Sequence, residues 1–329
     1  MIYYEFTPLD TLFFRGATPM EAGQLTAVSL FPPPVSVFIG AIRTAVLKQK
    51  DISFKDYKAG NYGIHSELET LIGKAGAPSP FAVTSFFIKK KGHCFLQAPV
   101  SWYLDSKKKP LAKSDYTKGT LIQAAYYAEA FTKLCIASSE ANLPFVKAEA
   151  EAQPLSALWI AADFFNAPKP HLTEDDFLLN SEVYTVESRT GIGLDANRHV
   201  VEGKLYTASH LRLSEGTAFG IGVSKDTGLQ ERGFLQLGGE NRLCAYRKIE
   251  APFDSTGQPS GLYFAAAPVQ ANEAVLSKLF SSKKLIEIAG WDLHRGFHKP
   301  SQAWLPAGAV FTEKINDACI SLPAIKAAN

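Results

Sequence analysis

From Glu182 to Ala267 the sequence repeats one pattern, a short run rich in β-branched, aromatic and aliphatic residues followed by a turn. The runs Glu182–Ser188, Lys204–Leu213, Thr217–Val223, Gly233–Leu237, Leu243–Ile249 and Gly261–Ala267 read as strands. Gly203, Ser214-Glu-Gly216 and Gly238-Gly-Glu240 supply turns between them.

The N-terminal part mixes both periods. Ile2, Tyr4 and Phe6 alternate with Tyr3, Glu5 and Thr7, as in a half-buried strand. A Gly, Pro and Thr-rich loop follows, and then Pro32-Pro33-Pro34. Ser36 is placed to cap a helix whose apolar face is Phe38, Ile42, Ala45 and Val46. Ser85–Ile88 and Cys94–Leu96 predict a hairpin with a basic tip at Lys89–Lys91, and Lys107–Pro110 a second basic turn. Gly119–Leu134 reads as helical or mixed, Leu155–Phe165 and Glu273–Phe280 as helices, and Leu285–Ala289 as a strand. The pattern breaks near Ala141–Pro144, which predicts one module over 1–145 and a second over 150–329. No short repeat is present, so a solenoid or propeller is excluded, and the fold class expected is α+β.

At 329 residues, 46% hydrophobic and 20% charged, the chain can bury a sizeable core. Its 34 Lys and Arg against 32 Asp and Glu leave a net charge of +2. That balance argues against a broad basic face coating nucleic acid and leaves a local basic groove open. Cys94, Cys135, Cys244 and Cys319 form no C-x-x-C pair, which fits a reduced cytoplasm. The N-terminus shows no export signal, and no window reaches the ~18 apolar residues of a membrane span.

Catalytic and cofactor motifs are absent or out of context. Gly191-Ile-Gly193-Leu-Asp-Ala196 matches a dinucleotide pattern by letter, but Glu187–Thr190 before it and Asn197–His199 after it are the wrong surroundings, so a glycine turn is expected. His294 and His298 have metal-pair spacing but flank Gly296, with Pro300 close behind, and no third ligand is evident. Glu174-Asp-Asp176 reads as a solvated face or helix start. No Walker sequence, G-x-S-x-G elbow or activated cysteine is present. No catalytic residue, metal ligand or cofactor is assigned. What recurs is glycine beside a cation, in Arg15-Gly16, Arg189-Thr-Gly191, Arg232-Gly233, Gly238-Gly-Glu-Asn-Arg242 and Arg295-Gly296. Such turns let backbone N–H groups and guanidinium forks approach phosphate. Gly290–Pro300 adds Trp291 and Phe297 to cations, a mixture suited to unpaired RNA, although both aromatics equally suit a core.

Three groups of residues carry a family resemblance. They are Asp10-Thr-Leu-Phe-Phe-Arg15 with Phe31-Pro-Pro-Pro34 and Gly40–Ala45; Leu158-Trp159, Glu187–Asp195, Gly203–Tyr206 and Gly238–Arg242; and Gly290–Pro300 with Leu305–Val310. In this order they resemble the third-subunit family of the Cmr complex, RAMP proteins of type III-B CRISPR effectors similar to the Cas five group. The resemblance implies two ferredoxin-like (RRM-like) modules with long inserted loops and hairpins, the second carrying a glycine-rich loop near 290–308. It implies a non-catalytic, cytoplasmic antiviral subunit without a cofactor that binds the crRNA 5′ tag. It further implies docking against the large Cas ten-type subunit and adjacent Cmr backbone subunits.

Carried onto this chain, the RNA-facing set is Arg15, Arg43, Arg189, Arg198, Arg242, Arg295, His298 and Lys299. Arg43, on the expected helix, has a second reading as a snorkelling or paired side chain. Gln302-Ala-Trp304 stands where relatives tend to be basic, so a phosphate contact is lost or Trp304 stacks on a base. Lys89–Lys91 has two open readings, RNA contact or a solvated tip. Two rivals remain: a metal-independent endoribonuclease processing repeat RNA, drawing on His65, His93 or His199, and a scaffold that touches only proteins.

Overall fold

Alternation in the first residues builds the strand around which one half of the contacts is organised. The computed structural model describes residues 1–15, 27–126, 144–253, 258–292 and 297–325. Its contacts fall into two units, each assembled from separated stretches: Met1–Thr84, Val183–Glu250 and Glu287–Ala303 in the first, Ser85–Glu182, Ala251–Ile286 and Trp304–Asn329 in the second. The sequence reading expected a single crossing between 145 and 150, a stretch that lies inside the second unit. Strand pairing between residues far apart in sequence, invisible to a local reading, produces this interleaving.

The first unit contains β1 (Ile2–Pro8), α1 (Val35–Gln49), β2 (Tyr184–Leu194), β3 (Val200–Leu213), β4 (Thr217–Val223), β5 (Arg232–Gln236) and β6 (Leu243–Ile249). Four of these form an antiparallel sheet in the order β4-β1-β6-β5. The apolar face of α1 covers one side of it, with Phe38 edge-on to Phe6 at 5.3 Å and to Phe219 at 6.2 Å. Phe38, Ile42, Ala45 and Val46 are all buried, as their spacing requires. Pro34 rather than Ser36 holds the cap position, at φ −58°; its ring fixes that angle, and a helix start has no use for the missing N–H. On the opposite face Glu5 is buried too, because Arg247 donates to both of its oxygens at 3.1 and 2.9 Å.

β2 and β3 make a long hairpin, in one register from Tyr184↔Leu213 to Ile192↔Leu205 and then shifted to Leu194↔Val200. The glycine-rich stretch expected to turn at 191–196 is instead mostly strand, and the reversal comes at Asp195–His199. There the Asp195 N–H donates to the His199 carbonyl at 2.9 Å, and the Asp195 carboxylate accepts from the N–H groups of Asn197 and His199 at 2.8 Å. At Gly191 the exposed Tyr206 ring, from the residue paired with it, folds over the strand into the place a Cβ would take.

In the second unit, Val83–Lys90, from Ser85 onward, pairs with His93–Gln97, then Trp159–Ala161, then Phe177–Leu178. A second sheet runs Leu279–Ser281, Val310–Phe311, Pro259–Ala265, Cys319–Pro323, and a third Thr120–Gln123, Trp102–Asp105, Ala152–Pro154. Trp102, Phe165 and Phe264 stack in series, with centroids 5.2 and 4.9 Å apart. The helix expected over Leu155–Phe165 is a strand followed by the 3-10 turn Ala162–Asn166, since Trp159 and Ile160 are drawn into the sheet. That expected over Glu273–Phe280 is one turn, Glu273–Leu276. The basic hairpin forms, but its turn is Lys91-Gly92 (φ 48° and 89°), and Lys89 and Lys90 belong to the strand. Gly119–Leu134 yields the strand Thr120–Gln123, and 127–143, with Cys135, lie outside the described residues. The architecture is thus mixed, with several antiparallel sheets and one helix longer than six residues among the described residues.

Removing the ring at the centre of the α1–sheet interface tests this packing. Phe38→Ala is expected to cost about 3–5 kcal/mol, seen as a lower urea midpoint at unchanged slope; a loss under 1 kcal/mol would mean that α1 does not seat on the sheet as described.

Candidate functional site

The loop leaving β1 is tied down by its backbone. Leu12 and Leu211 exchange two N–H···O bonds of 2.8 Å, the Phe13 carbonyl accepts from Gly239 N–H at 2.8 Å, and the Phe14 carbonyl accepts from Leu30 N–H at 2.8 Å. Leu12, Phe13 and Phe14 are buried, so the aromatic pair belongs to the core, while Asp10 is left at the rim and Arg15 exposed. Gly238, at φ +81°, sits so close beneath this loop that a Cβ would lie 2.5 Å from the Phe13 carbonyl oxygen. Glycine is therefore required in the Gly238–Arg242 turn by both its backbone angle and its neighbour.

Three segments of the resemblance meet here through charge. Asp10 Oδ2 accepts from Arg242 Nη1 at 2.9 Å and from Arg189 Nη2 at 3.5 Å, and Asp10 Oδ1 from Arg212 Nη2 at 3.3 Å. Glu187 accepts from Arg189 Nε and Nη2 at 3.0 and 2.8 Å and from Arg212 Nε at 2.8 Å. Glu240 accepts from Arg242 Nη2 at 2.7 Å. Three guanidiniums thus face three carboxylates. The Thr11 backbone N–H, then the neighbouring arginines, hold Asp10 below the usual carboxylate range, and hydrogen bonds from Arg189 and Arg212 do the same for Glu187. Arg189 and Arg212 remain 34% and 48% exposed, and no described residue accepts from their Nη1 groups.

His210 lies beneath this layer, 1% exposed, its ring stacked on Phe13 at 5.3 Å and its Nδ1 3.3 Å from the Thr11 hydroxyl. Its Nε2 is 3.4 Å from Glu240 Oε2 without hydrogen-bond geometry. Burial pushes its pKa down, against the pull of Glu240.

The other expected residues lie apart from this cluster. Arg43 donates to the Lys74 and Ala77 carbonyls at 2.6 and 3.2 Å and to the Tyr57 hydroxyl at 2.7 Å, and so pins α1 to the following loop. Arg198 is exposed at the hairpin tip with φ 65°, and Arg15 is exposed beside a bridge to Ser29. Lys299 is exposed on the strand Phe297–Leu305. The segment read as a C-terminal loop is largely strand, Ile286–Asp292 and Phe297–Leu305; Arg295 and His294 lie outside the described residues, as does the side chain of His298. Of the histidines in the nuclease rival, His65 sits 3.6 Å from Glu67, His199 sits 3.6 Å from Asp195, and His93 belongs to the second unit. Among the described residues no group of three or more His, Cys, Asp or Glu is placed to hold a metal ion, and no helix is long and apolar enough to cross a membrane.

Arg212, His210, Glu187 and Asp10 were not singled out by the sequence as functional groups. The signal was the hairpin register. The pairing depends on a register shift between Ile192 and Leu194: counted straight from the reversal at Asp195–His199, Glu187 would face Thr207, whereas the shifted ladder sets it opposite His210 and diagonal to Arg212.

The fold has counterparts among CRISPR effector subunits. A chain of the type III-B Cmr-beta assembly bound to cognate target RNA and AMPPnP superposes with a TM-score of 0.55 at 15% identity, over 94% of this chain and 85% of that one. A chain of Cmr-beta bound to cognate target RNA gives 0.55, 15%, 94% and 86%. No curated protein matches the chain. The family model described as CRISPR-associated protein (Cas_Cmr3) matches residues 4–319, and the chain belongs to that family.

Two outcomes follow for the cluster. Asp10→Asn leaves the arginines without their shared anion, and the Leu12 and Leu211 amides are expected to exchange about two- to fivefold faster, the scale of a half-exposed ion pair; unchanged exchange would show that the backbone bonds alone hold the loop. In pH titration, burial keeps the His210 pKa of the folded chain below its ordinary value, so an unfolded chain takes up that proton first, near pH ~6.5. The unfolding midpoint should therefore fall as pH drops below that value, and fall again as pH passes through the lowered pKa values of Asp10 and Glu187. His210→Asn should remove the first decline and keep the second.

Proposed function

We propose that this chain is the non-catalytic subunit that holds the repeat-derived 5′ tag of the crRNA in a cytoplasmic type III-B effector ribonucleoprotein. It docks there against the large Cas ten-type subunit and adjacent Cmr backbone subunits. The observation that carries the reading is the cluster at Asp10. Arg189 and Arg212 are held rigid by carboxylates on one side and keep Nη1 groups directed to no described acceptor on the other. A fixed fork loses little freedom when it meets a phosphate, which is the geometry that favours bidentate contact. Arg15, Arg198 and Lys299, exposed on the same unit, extend the cationic set, while Arg242 and Arg43 act as supports. The four-stranded antiparallel sheet crossed by α1 supports a ferredoxin-like ancestry for the first unit, and by extension for both.

Crosslinking and sequencing of RNA bound to the tagged chain, purified from its native cells, tests the reading. Guides sharing one repeat-derived 5′ end, crosslinked at that end, are the expected result. Guides crosslinked only along their spacers would move the subunit elsewhere, and no guide at all would favour the protein-only scaffold. In the reconstituted assembly, Arg15→Ala and Arg198→Ala should each lower the slope of log affinity against log salt by about 0.7–1 with thermal stability intact. Cleavage of repeat RNA by the isolated chain, lost in His65→Ala or His199→Ala, would instead establish the nuclease.

A further inference from the structure

The outer strand of the first unit's sheet is open along one side. β6 pairs with β5 on one edge, and no described strand of this unit takes the other. The phase of that ladder is fixed by its flanking bonds, from Lys248 N–H to the Glu231 carbonyl at 2.6 Å and from Leu237 N–H to the Arg242 carbonyl at 2.9 Å. Residues 231, 233, 235 and 237 therefore turn their backbone groups toward β6, and Arg232, Phe234 and Gln236 turn theirs away from it. Among the described residues nothing bonds to these three on the outer side.

The surroundings of this edge are shaped for a guest. α1 runs beside it and leaves a groove of about 160 Å³, floored by the small residues Ala41, Thr44 and Ala45 and bounded by Leu235 and Gln236. On the other face Phe234 is 65% exposed and Leu243, two rungs away on β6, is 44% exposed. Proteins usually blunt such an edge with proline, a bulge or a cover; β5 has none of these among the described residues. Cations mark its ends. Lys48 lies 3.5 Å from the Gln236 side chain, and Arg232, Lys248 and Arg247, the last also bonded to Glu5, line a notch of about 580 Å³ with Gln230 and Glu231.

We infer that β5 accepts an extended, acidic segment of a different protein chain as an added strand, with alternate small side chains in the α1 groove and carboxylates at the Arg232–Lys248 notch. The alternation of free donors and acceptors matches a peptide backbone, whereas a nucleic acid would use the donors alone. Antiparallel pairing with a second copy centred on Phe234 would set Arg232 of each opposite the Gln236–Lys48 end of the other, cation toward cation. The inference does not rest on the RNA reading above, and its readout is separate.

Hydrogen exchange on the full chain alone and within the assembly purified from its native cells decides it, with protein crosslinks mapped on the same samples. The expected result is alternating protection. The amides of Arg232, Phe234 and Gln236 exchange fast in the free chain and at least about tenfold more slowly in the assembly, with crosslinks from Lys48 or Lys248 to carboxylates of another subunit. Phe234→Pro removes one outward N–H and no β6 bond, and is expected to weaken incorporation about tenfold; should it fail to fold, Lys48→Glu with Arg232→Glu asks the same question through charge. Uniform protection with crosslinks to RNA, protection in the isolated chain at high concentration together with a dimer in sedimentation, or no protection at all would each overturn the inference.

Discussion

The Asp10 carboxylate is the interaction on which the first unit's working corner depends. It stands at the exit of β1 and accepts hydrogen bonds from Arg189, Arg212 and Arg242, which arrive from β2, β3 and the turn before β6. Three guanidiniums this close would repel one another without an anion among them. Asp10 at the centre, Glu187 on the hairpin and Glu240 on the turn turn that repulsion into a lattice in which each cation has at least one carboxylate. Backbone bonds from Leu12, Phe13 and Phe14 then fix the loop that carries Asp10, so charge and backbone constrain the same few residues.

Neutralisation within the lattice also bears on how a nearly neutral chain can serve an RNA-bound assembly. Arginines that are charge-balanced yet keep free donor edges contribute direction rather than long-range attraction. In the function proposed above, such a surface would position a phosphate already delivered by other contacts and add little non-specific affinity. Below it, the buried His210 and the ring of Phe13 form an apolar floor, which strengthens hydrogen bonding above it by lowering the local dielectric. The open β5 edge lies on the same sheet and offers a different chemistry, backbone donors and acceptors in alternation.

Legibility in the sequence followed the range of the interactions. β4 and β6 match their predicted spans because alternation and adjacent turns are local. The face of α1 was equally plain from the spacing of Phe38, Ile42, Ala45 and Val46. Trp159–Ala161 misled because a short apolar run is compatible with either period, and only its partners in the sheet decide between them. The hairpin misled in the opposite direction. Gly191 and Gly193 looked like a turn, yet Gly191 lies within a strand, paired with Tyr206, whose ring covers it.

By itself the sequence determined the strand-rich character of the chain, the apolar face of α1, and membership of the family, since each depends on residue types and their order. It nominated Arg189 and Arg242 as important cations. Only the tertiary structure decided that these two share a carboxylate with Arg212, that Arg43 serves as a pin between α1 and the loop after it, and that β5 is left with an open edge. The reason is physical. Local propensity is written in neighbouring residues, but an ion pair between positions 10 and 242 exists only once the sheet and its long hairpin have closed in register.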